Sequence, residues 1–192
     1  DYTLENSYEF TVNGHDEHQI NSVDYNGNYS ENTESIMSMA LGQGANLRSF
    51  NVLPEDNSIE NVMVSIEGVA TGVIGEGVAA NYNGSEWMGS LSEIDPNSGY
   101  WIMVSEDDVL LLMGEPTQRD IAYNLGAGAN LISYPSSGST NISEAIPDDV
   151  EYLFEAILAE GGAAMNTENG WVGSLLNLSG GSGYWVVVEE AL

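Results

Sequence analysis

The sequence predicts a mainly β fold, β-rich α+β, in which two tandem homologous domains form small β-sandwich or barrel-like units with one short helix each. Three observations predict it: a sequence that is repeated at a constant offset, short apolar runs bounded by Gly, Pro, Asn and Ser, and apolar residues at helical spacing. The 192 residues, of which 42% are hydrophobic, suffice for two small cores.

The repetition is recognised from separate blocks that share one offset. Trp171 follows Trp87 by 84 positions, and Asn130 follows Asn46 at the same spacing. The paired blocks are EWMGSLSEIDPNSGYWIMV (86–104) with GWVGSLLNLSGGSGYWVVV (170–188), LGQGANLRSF (41–50) with LGAGANLISY (125–134), and GEGVAA (75–80) with AEGGAA (159–164). Because no gap is needed to align them, the pattern indicates a tandem duplication with a long period.

The repeat divides the chain into four predicted segments. Residues 1–35 form an N-terminal extension or the end of a preceding domain. Residues 36–113 and 121–192 form the two β-rich repeat units, and GEPTQRD (114–120) is a linker between them. Each unit has the length of a small domain, unlike the short repeats of most solenoids.

The first unit contains alternating strand patterns and one helical stripe. NLRSFNV (46–52) predicts a strand, and the GQGAN text before it (42–46) predicts a hairpin turn with a left-handed glycine. The helical stripe consists of Ile59, Val62, Met63 and Ile66, with Asn57 as its N-cap and Asn141 as the equivalent cap in the second unit.

Further strands are expected at VATGVI (69–74) and at its counterpart LFEAIL (153–158), where helical spacing competes with the strand assignment. WMGSL and GYWIMV are interpreted as two strands of a hairpin, which would place Trp87 near Trp101 across the ladder. DVLLLM (108–113) predicts a last buried strand, for which the second unit has no counterpart in the sequence.

Residues 1–35 lie outside the repeated text. YEFTV (8–12) and INSVDY (20–25) predict strands, which could add to the first unit. HDEH (15–18) could ligate zinc or copper through its two histidines. A solvated turn is the favoured interpretation, because no further His or Cys accompanies the motif.

The charge balance excludes several functions. The chain has 30 acidic residues, no lysine, and only Arg48 and Arg119 as cationic side chains, for a formal net charge of −28. Two arginines cannot form the basic patch that nucleic acids require, and anionic membranes are disfavoured for the same reason. No apolar run approaches the length of a membrane span, so we expect neither nucleic acid binding nor membrane insertion. The composition favours an extracellular or cell-surface protein over a salt-adapted cytoplasmic one.

Aromatic residues are the first candidates for ligand contact. Trp87 and Trp171 follow polar turns, so packing at the surface and contact with a ligand are both open to them. Tyr100 and Tyr184 lie in the same repeated blocks and complete a candidate set that could stack on sugar rings. The remaining tryptophans, within GYWIMV and GYWVVV, are expected in the cores.

Acidic residues are the second candidates. Asp56, Glu106, Asp107 and Asp108 lie in clusters whose oxygen atoms suit a hard cation, so calcium is the cofactor weighed, against a diffuse cloud of counterions. None has the spacing of an EF-hand. Glu76 and its repeat Glu160 could suggest a glycosidase pair. A glutamate beside glycines more often accepts turn N–H groups, and that interpretation is favoured.

The repeated text also resembles a known kind of module. GANLISYP (128–135), WVGSL (171–175) and GSGYWVVV (181–188) resemble a tandem repeat of large secreted modular proteins of environmental, especially marine, bacteria. The resemblance covers about residues 36–192, and the first unit departs from it at Arg48 and Asn51. It implies an extracellular accessory module and transfers no catalytic residue.

These observations predict a non-enzymatic extracellular or cell-surface structural or adhesive module. One alternative is a glycan-binding module that uses exposed Trp and Tyr side chains. Another is a subunit of an extracellular filament or surface layer, in which strand complementation by a neighbour completes the second unit. The expected partners are accordingly a protein or glycan on a surface, or copies of the chain itself.

Overall fold

The computed structural model describes the backbone of residues 9–11, 18–21, 34–118 and 121–192, and side chains from residue 35 onward within those ranges. We call residues 34–118 the first half and residues 121–192 the second half. Both consist mainly of antiparallel strands, which confirms the mainly β prediction. The HDEH motif lies largely outside the described residues, and only the backbone of His18 is described.

The strands up to residue 118 are β1 (Glu9–Thr11), β2 (His18–Asn21), β3 (Glu34–Leu41), β4 (Gly44–Arg48), β5 (Val52–Leu53), β6 (Ala70–Gly75), β7 (Val78–Tyr82), β8 (Trp87–Gly89), β9 (Tyr100–Val104) and β10 (Asp108–Pro116). Those of the second half are β11 (Gly128–Ile132), β12 (Ser139–Asn141), β13 (Phe154–Ala159), β14 (Gly162–Thr167), β15 (Gly170–Gly173), β16 (Asn177–Ser179) and β17 (Tyr184–Val188). Two four-residue helices, α1 (Ile59–Val62) and α2 (Ile142–Ala145), are followed by 3-10 turns at Val64–Ile66 and Glu151–Leu153. The strand predicted at LFEAIL is thus present as β13.

The first half contains a five-stranded sheet of order β4-β9-β6-β7-β8, here called the first sheet. Strand β9 lies between β4 and β6, so β8 and β9 are not neighbours and the predicted hairpin holding Trp87 and Trp101 is wrong. The intervening residues 90–99 form a crossing connection rather than a tight turn, because Leu91 and Ile94 are buried in the core. Burial of these side chains carries the chain across the sheet face before β9 inserts between β4 and β6.

The second half contains the second sheet, of order β11-β17-β13-β14-β15. Each strand is the equivalent of one in the first sheet, and the registers correspond: Gly44 is opposite Val104, and Gly128 is opposite Val188, 84 positions later. Even the irregularity between β6 and β9 recurs between β13 and β17. A tandem duplication of one folding unit would produce this correspondence.

Strands β3, β10 and β5 form another sheet in the first half, to which β2 and then β1 add beyond β3. The predicted N-terminal strands therefore extend this sheet, although β2 begins at His18, earlier than INSVDY indicated. Side chains of β3 and β10 share one core with those of the first sheet, so the first half is a two-layer sandwich. Strand β10 runs to Pro116 and thus includes the start of the segment interpreted as a linker.

The core of the second half is smaller, and its central side chains come from β13, β17 and α2. Strands β12 and β16 pair in a separate two-stranded sheet. Residues 121–127, which correspond to the end of β3 and the turn after it, are not in regular structure. Among the described residues, no strand takes the place that β10 has in the first half.

Local details differ from the sequence prediction in two places. Ser58, not Asn57, caps α1, and its hydroxyl accepts a hydrogen bond from the N–H of Asn61, whereas Asn141 caps α2 as predicted. The side chain of Asn57 does not cap α1. Its amide donates a hydrogen bond to the carbonyl of Ile94 in the crossing connection.

The strand predicted over 46–52 ends at Arg48, and β5 begins at Val52 in the other sheet. Gly44 has a positive φ of 105°, as the turn prediction requires. The turn does not close a hairpin, however. It passes from β3 in one sheet to β4 in the other, so this glycine marks the change of layer.

Candidate functional site

The two candidate tyrosines lie in the cores. Tyr100 and Tyr184 are each 2% exposed, and their hydroxyl oxygens accept hydrogen bonds from the N–H groups of Asp95 (2.8 Å) and Ser179 (2.7 Å). Burial raises the pKa of Tyr100, and the hydrogen bond from Asp95 opposes it. A ligand at the surface cannot reach either ring, so the structure removes both from the candidate contact set.

The adjacent tryptophans face the other side of the sheet. Along β9, Tyr100 points into the core, and Trp101 is half-buried on the opposite face, as is Trp185 on β17. The expectation that these tryptophans fill the cores is therefore wrong. Side chains alternate along a strand, so of two adjacent aromatic residues only one can face the core. This period of two indicated that only one residue of each pair faces the core, but not which one.

Trp87 and Trp171 are half-buried on the outermost strand of each sheet. Trp87 packs against the first core and makes a tilted ring contact with Tyr82, with ring centroids 5.3 Å apart. The indole N–H of Trp171 donates to Oε1 of Glu151 at 2.6 Å. In the described part of the chain no ring contact joins the two indoles. Each indole thus has a structural partner within its own half.

The candidate metal ligands are engaged with the backbone. Carboxylate oxygens of Asp56, Asp107 and Asp108 accept hydrogen bonds from the N–H groups of Ser58, Gln43 and Val109 respectively. The hydrogen bond from the Ser58 hydroxyl, and next that from its N–H, lower the pKa of Asp56. Glu106 is exposed beside Asp107. Over the described ranges, no three His, Cys, Asp or Glu side chains gather as a metal site would require.

Because Asp56, Asp107 and Asp108 already accept backbone hydrogen bonds, we expect calcium to act on these carboxylates as an ionic-strength effect. Divalent cations will raise the melting temperature by screening the charge of −28, and about 5 mM CaCl₂ will match about 5 mM MgCl₂ to within about 1 °C. Thermal melts in both salts, with EGTA as the control, measure the difference. A rise that is specific to calcium would instead show a built site and contradict the expectation.

Glu76 and Glu160 each form a hydrogen bond with the opposite half of the chain. Each lies in the turn between two strands of a sheet, β6 and β7 or β13 and β14. Oε2 of Glu76 accepts from the N–H of Leu131 at 2.7 Å, and Oε2 of Glu160 accepts from the N–H of Leu47 at 3.0 Å. The prediction that these glutamates accept backbone N–H groups is correct in kind, but the donors belong to the opposite half.

Main-chain contacts surround these two glutamates with the same symmetry. The four hydrogen bonds are Ser49 N–H to Gly181 O (3.1 Å), Ser133 N–H to Asn97 O (3.0 Å), Gly99 N–H to Leu131 O (3.2 Å) and Gly183 N–H to Leu47 O (3.3 Å). Two antiparallel bridges accompany them, Arg48 with Ser182 and Ser98 with Ile132. Each of these main-chain contacts has a partner at the 84-residue offset, so one surface patch meets its own repeat, as in a twofold homodimer interface. We call this contact the inter-half interface.

Two leucines occupy the apolar part of the inter-half interface. Leu47 and Leu131 are 1% and 3% exposed, yet neither belongs to a core cluster of its half. A Cβ on Gly183 would lie 3.0 Å from the Leu47 side chain and 2.8 Å from the carbonyl oxygen of Arg48. A Cβ on Gly99 would lie 2.9 Å from the Leu131 side chain and 2.8 Å from the carbonyl oxygen of Ile132. Glycine is therefore needed at both positions, because only a bare backbone allows the halves to approach this closely.

The side-chain contacts of Arg48 at this interface have no symmetrical counterpart. The guanidinium of Arg48 forms an ion pair with Glu160, at 2.6 Å, and its other nitrogen donates to the carbonyl of Ala40. The equivalent of Arg48 in the second half is Ile132, so among the described residues Glu76 has the N–H of Leu131 as its partner but no guanidinium. The departure of the first unit from the repeated text thus adds a partly exposed ion pair.

Comparisons with known proteins add no relative. The chain matches no model of a known protein family, no curated protein and no solved structure. In the part of the chain that is described, none of the helices has the length and apolar character needed to cross a membrane.

Proposed function

We propose that this chain is a non-enzymatic structural or adhesive module of the extracellular space or cell surface, in which two duplicated β units act as one rigid body. The observation that supports this most is the use made of the repeated polar residues. Glu76 and Glu160, which a duplicated enzyme could use as acids, bind the backbone of the opposite half. This use of the repeated residues favours a role in joining the two units over a role in an active site.

Other repeated residues also have structural roles, within one half or between the halves. Asn46 and Asn130 are buried, and their amide groups bond to the carbonyls of Gly42 and Gly126 in the turns before β4 and β11. Gly99 and Gly183 allow the halves to approach. A rigid pair of sheets is suited to spacing or presenting other parts of an assembly, since it resists bending at the junction between units.

The extracellular location is supported by charge and by resemblance. A charge of −28 with no lysine repels polyanions and attracts cations or basic proteins. The repeated text resembles that of secreted modular proteins. Antibody labelling of intact cells of the producing organism, without permeabilisation, is expected to detect the chain. Labelling only after lysis would contradict the proposed location.

The rigid-body part of the proposal predicts one cooperative thermal transition for both halves. Because the inter-half interface fixes them to each other, the calorimetric and van't Hoff enthalpies should agree within about 10%. Differential scanning calorimetry of the whole chain measures both quantities. Two resolved transitions, or a van't Hoff enthalpy near half of the calorimetric one, would show that the halves unfold independently.

A glycan-binding module is the second candidate, supported by the partial exposure of Trp87 and Trp171. A sugar stacked on either indole should change tryptophan emission on titration, and a glycan array should show saturable binding. Phe substitution of each residue in turn, with the half-buried Trp101 as a comparison site, would locate the binding. An array without hits and unchanged emission would remove this candidate.

A further inference from the structure

The second half contains an apolar cavity of about 420 Å³ that is partly open to solvent. We call it the open cavity, and its walls include Ile121, Tyr123, Ile146, Phe154, Leu178 and Leu192. The positions 84 residues before the first five of these hold Met37, Met39, Val62, Ala70 and Ile94, all buried in the core of the first half. The same place in the two halves is therefore closed in one and open in the other.

Strand β10 closes this place in the first half. Leu110 lies opposite Met39, and Leu112 lies opposite Met37, in the antiparallel pairing of β10 with β3. The two leucines are 0% and 4% exposed, whereas the intervening Leu111 is 52% exposed. One face of a single strand, with two aliphatic side chains at alternate positions, thus fills the core.

The second half already forms the first pair of this ladder. Leu125 and Leu192 exchange two hydrogen bonds, at 2.8 and 3.0 Å, at the positions equivalent to Leu41 and Asp108. The next position along that edge is Tyr123. Its main-chain N–H and C=O have no hydrogen-bond partner among the residues that the structure describes.

Residues 121–125 also show the alternating side-chain burial of an edge strand. Ile121 and Tyr123 are half-buried toward the open cavity, Leu125 is buried, and Ala122 and Asn124 are exposed. Met37, Met39 and Leu41 alternate in the same way on β3. The edge, its register and its apolar pocket are therefore all present in the second half.

We propose that the open cavity binds an extended peptide strand that pairs antiparallel with residues 121–125 and inserts bulky aliphatic side chains at two alternate positions. The peptide main chain bonds to Tyr123, and its aliphatic side chains take the places that Leu110 and Leu112 have in the first half. A compact apolar molecule would fill the volume but leave the main chain of Tyr123 unpaired, which favours a strand. The inference does not depend on the proposed function, and it gives the strand-complementation alternative a physical site.

The first experiment supplies the strand as a separate peptide. A synthetic peptide of residues 108–116, DVLLLMGEP, should bind the whole chain saturably and raise its melting temperature. The control peptide DVSLSMGEP replaces only the two inward leucines with serine and should do neither. Calorimetric titration and thermal melting measure both effects. Equal behaviour of the two peptides, bound or unbound, would overturn the proposal.

The second experiment attaches the strand to the protein. VLLLMGEP added after Leu192 continues the register of the Leu125–Leu192 pair, and it should raise the melting temperature by roughly 5 °C or more. The matched extension VSLSMGEP should leave it near the original value. Identical melting of the two extended chains would overturn the proposal. A dimer of the unextended chain that the VLLLMGEP extension abolishes would assign the open cavity to a second copy, and would likewise overturn a peptide partner.

Discussion

Leu110→Ala should lower the free energy of unfolding by roughly 3–5 kcal/mol, as is usual for a fully buried leucine that leaves a cavity behind. Leu110 is 0% exposed and lies between the sheet of β3 and β10 and the first sheet. Its removal loses apolar burial and the contacts that the surrounding side chains make with it. The two layers are held apart by other side chains and cannot fully collapse into the gap. Urea unfolding followed by near-ultraviolet circular dichroism measures the loss.

Leu111→Ala is the matched control for this prediction. Leu111 is the next residue on the same strand, and its side chain is 52% exposed on the outer face. Its truncation should change the free energy of unfolding by less than about 0.5–1 kcal/mol. If the two variants lost equal stability, the assignment of an inner and an outer face to β10 would be wrong, and so would the argument for what fills the open cavity.

The double variant Gly99→Ala, Gly183→Ala should separate the two halves. Each new Cβ would lie 2.8 Å from a carbonyl oxygen of the opposite half, that of Ile132 or that of Arg48. Backbone cannot move aside as a flexible side chain can, so each methyl group should cost at least about 1–3 kcal/mol. The expected result is the loss of the inter-half interface, and calorimetry should show the single thermal transition resolving into two.

Two comparison variants make this test specific. Gly68→Ala adds a methyl group with no atom within 4 Å and should leave the transition unchanged. Glu160→Gln keeps an acceptor for the N–H of Leu47 but removes the charge opposite Arg48, and it should cost less than about 1 kcal/mol because the ion pair is partly exposed. A single transition at the original temperature in the double alanine variant would show that the interface does not couple the halves.

The role proposed for the chain depends on this interface more than on any pocket. Twofold-symmetric interfaces are usually found between the separate subunits of a homodimer. Association of separate subunits costs translational and rotational entropy. A covalent link between the repeats removes most of that cost, since the effective concentration of one half near the other is high. A modest set of hydrogen bonds and two buried leucines can therefore hold the pair together.

Local patterns in the sequence predicted most of the strands. The constant offset placed LFEAIL in a strand against its own helical spacing, because VATGVI contains a glycine and aligns with it without a gap. The apolar run in DVLLLM indicated the buried strand β10, although only one face of that strand is buried. Such patterns involve residues that are near one another in the chain, so they can be recognised without knowledge of the fold.

The candidate sites could not be predicted in the same way. Glu76 stood out only as a repeated acid, and nothing near it indicated Leu131, 55 residues away, as its donor. Tyr100 and Trp101 are equally apolar in the sequence, and the period of two leaves undecided which of them faces the core. The open cavity depends on a strand that the first half has and the described second half lacks, which no local pattern expresses.

By itself, the sequence determined the mainly β class, the repeat, the acidic surface charge and the positions of most strands, because composition and short-range alternation fix these properties. Only the tertiary structure decided that β9 inserts between β4 and β6, that two glycines bring the halves into contact and that one half is closed while the other is open. Those features depend on which segments, distant in the sequence, pair with each other. The free energy of such a pairing depends on both segments, so the local sequence of one segment does not reveal its partner.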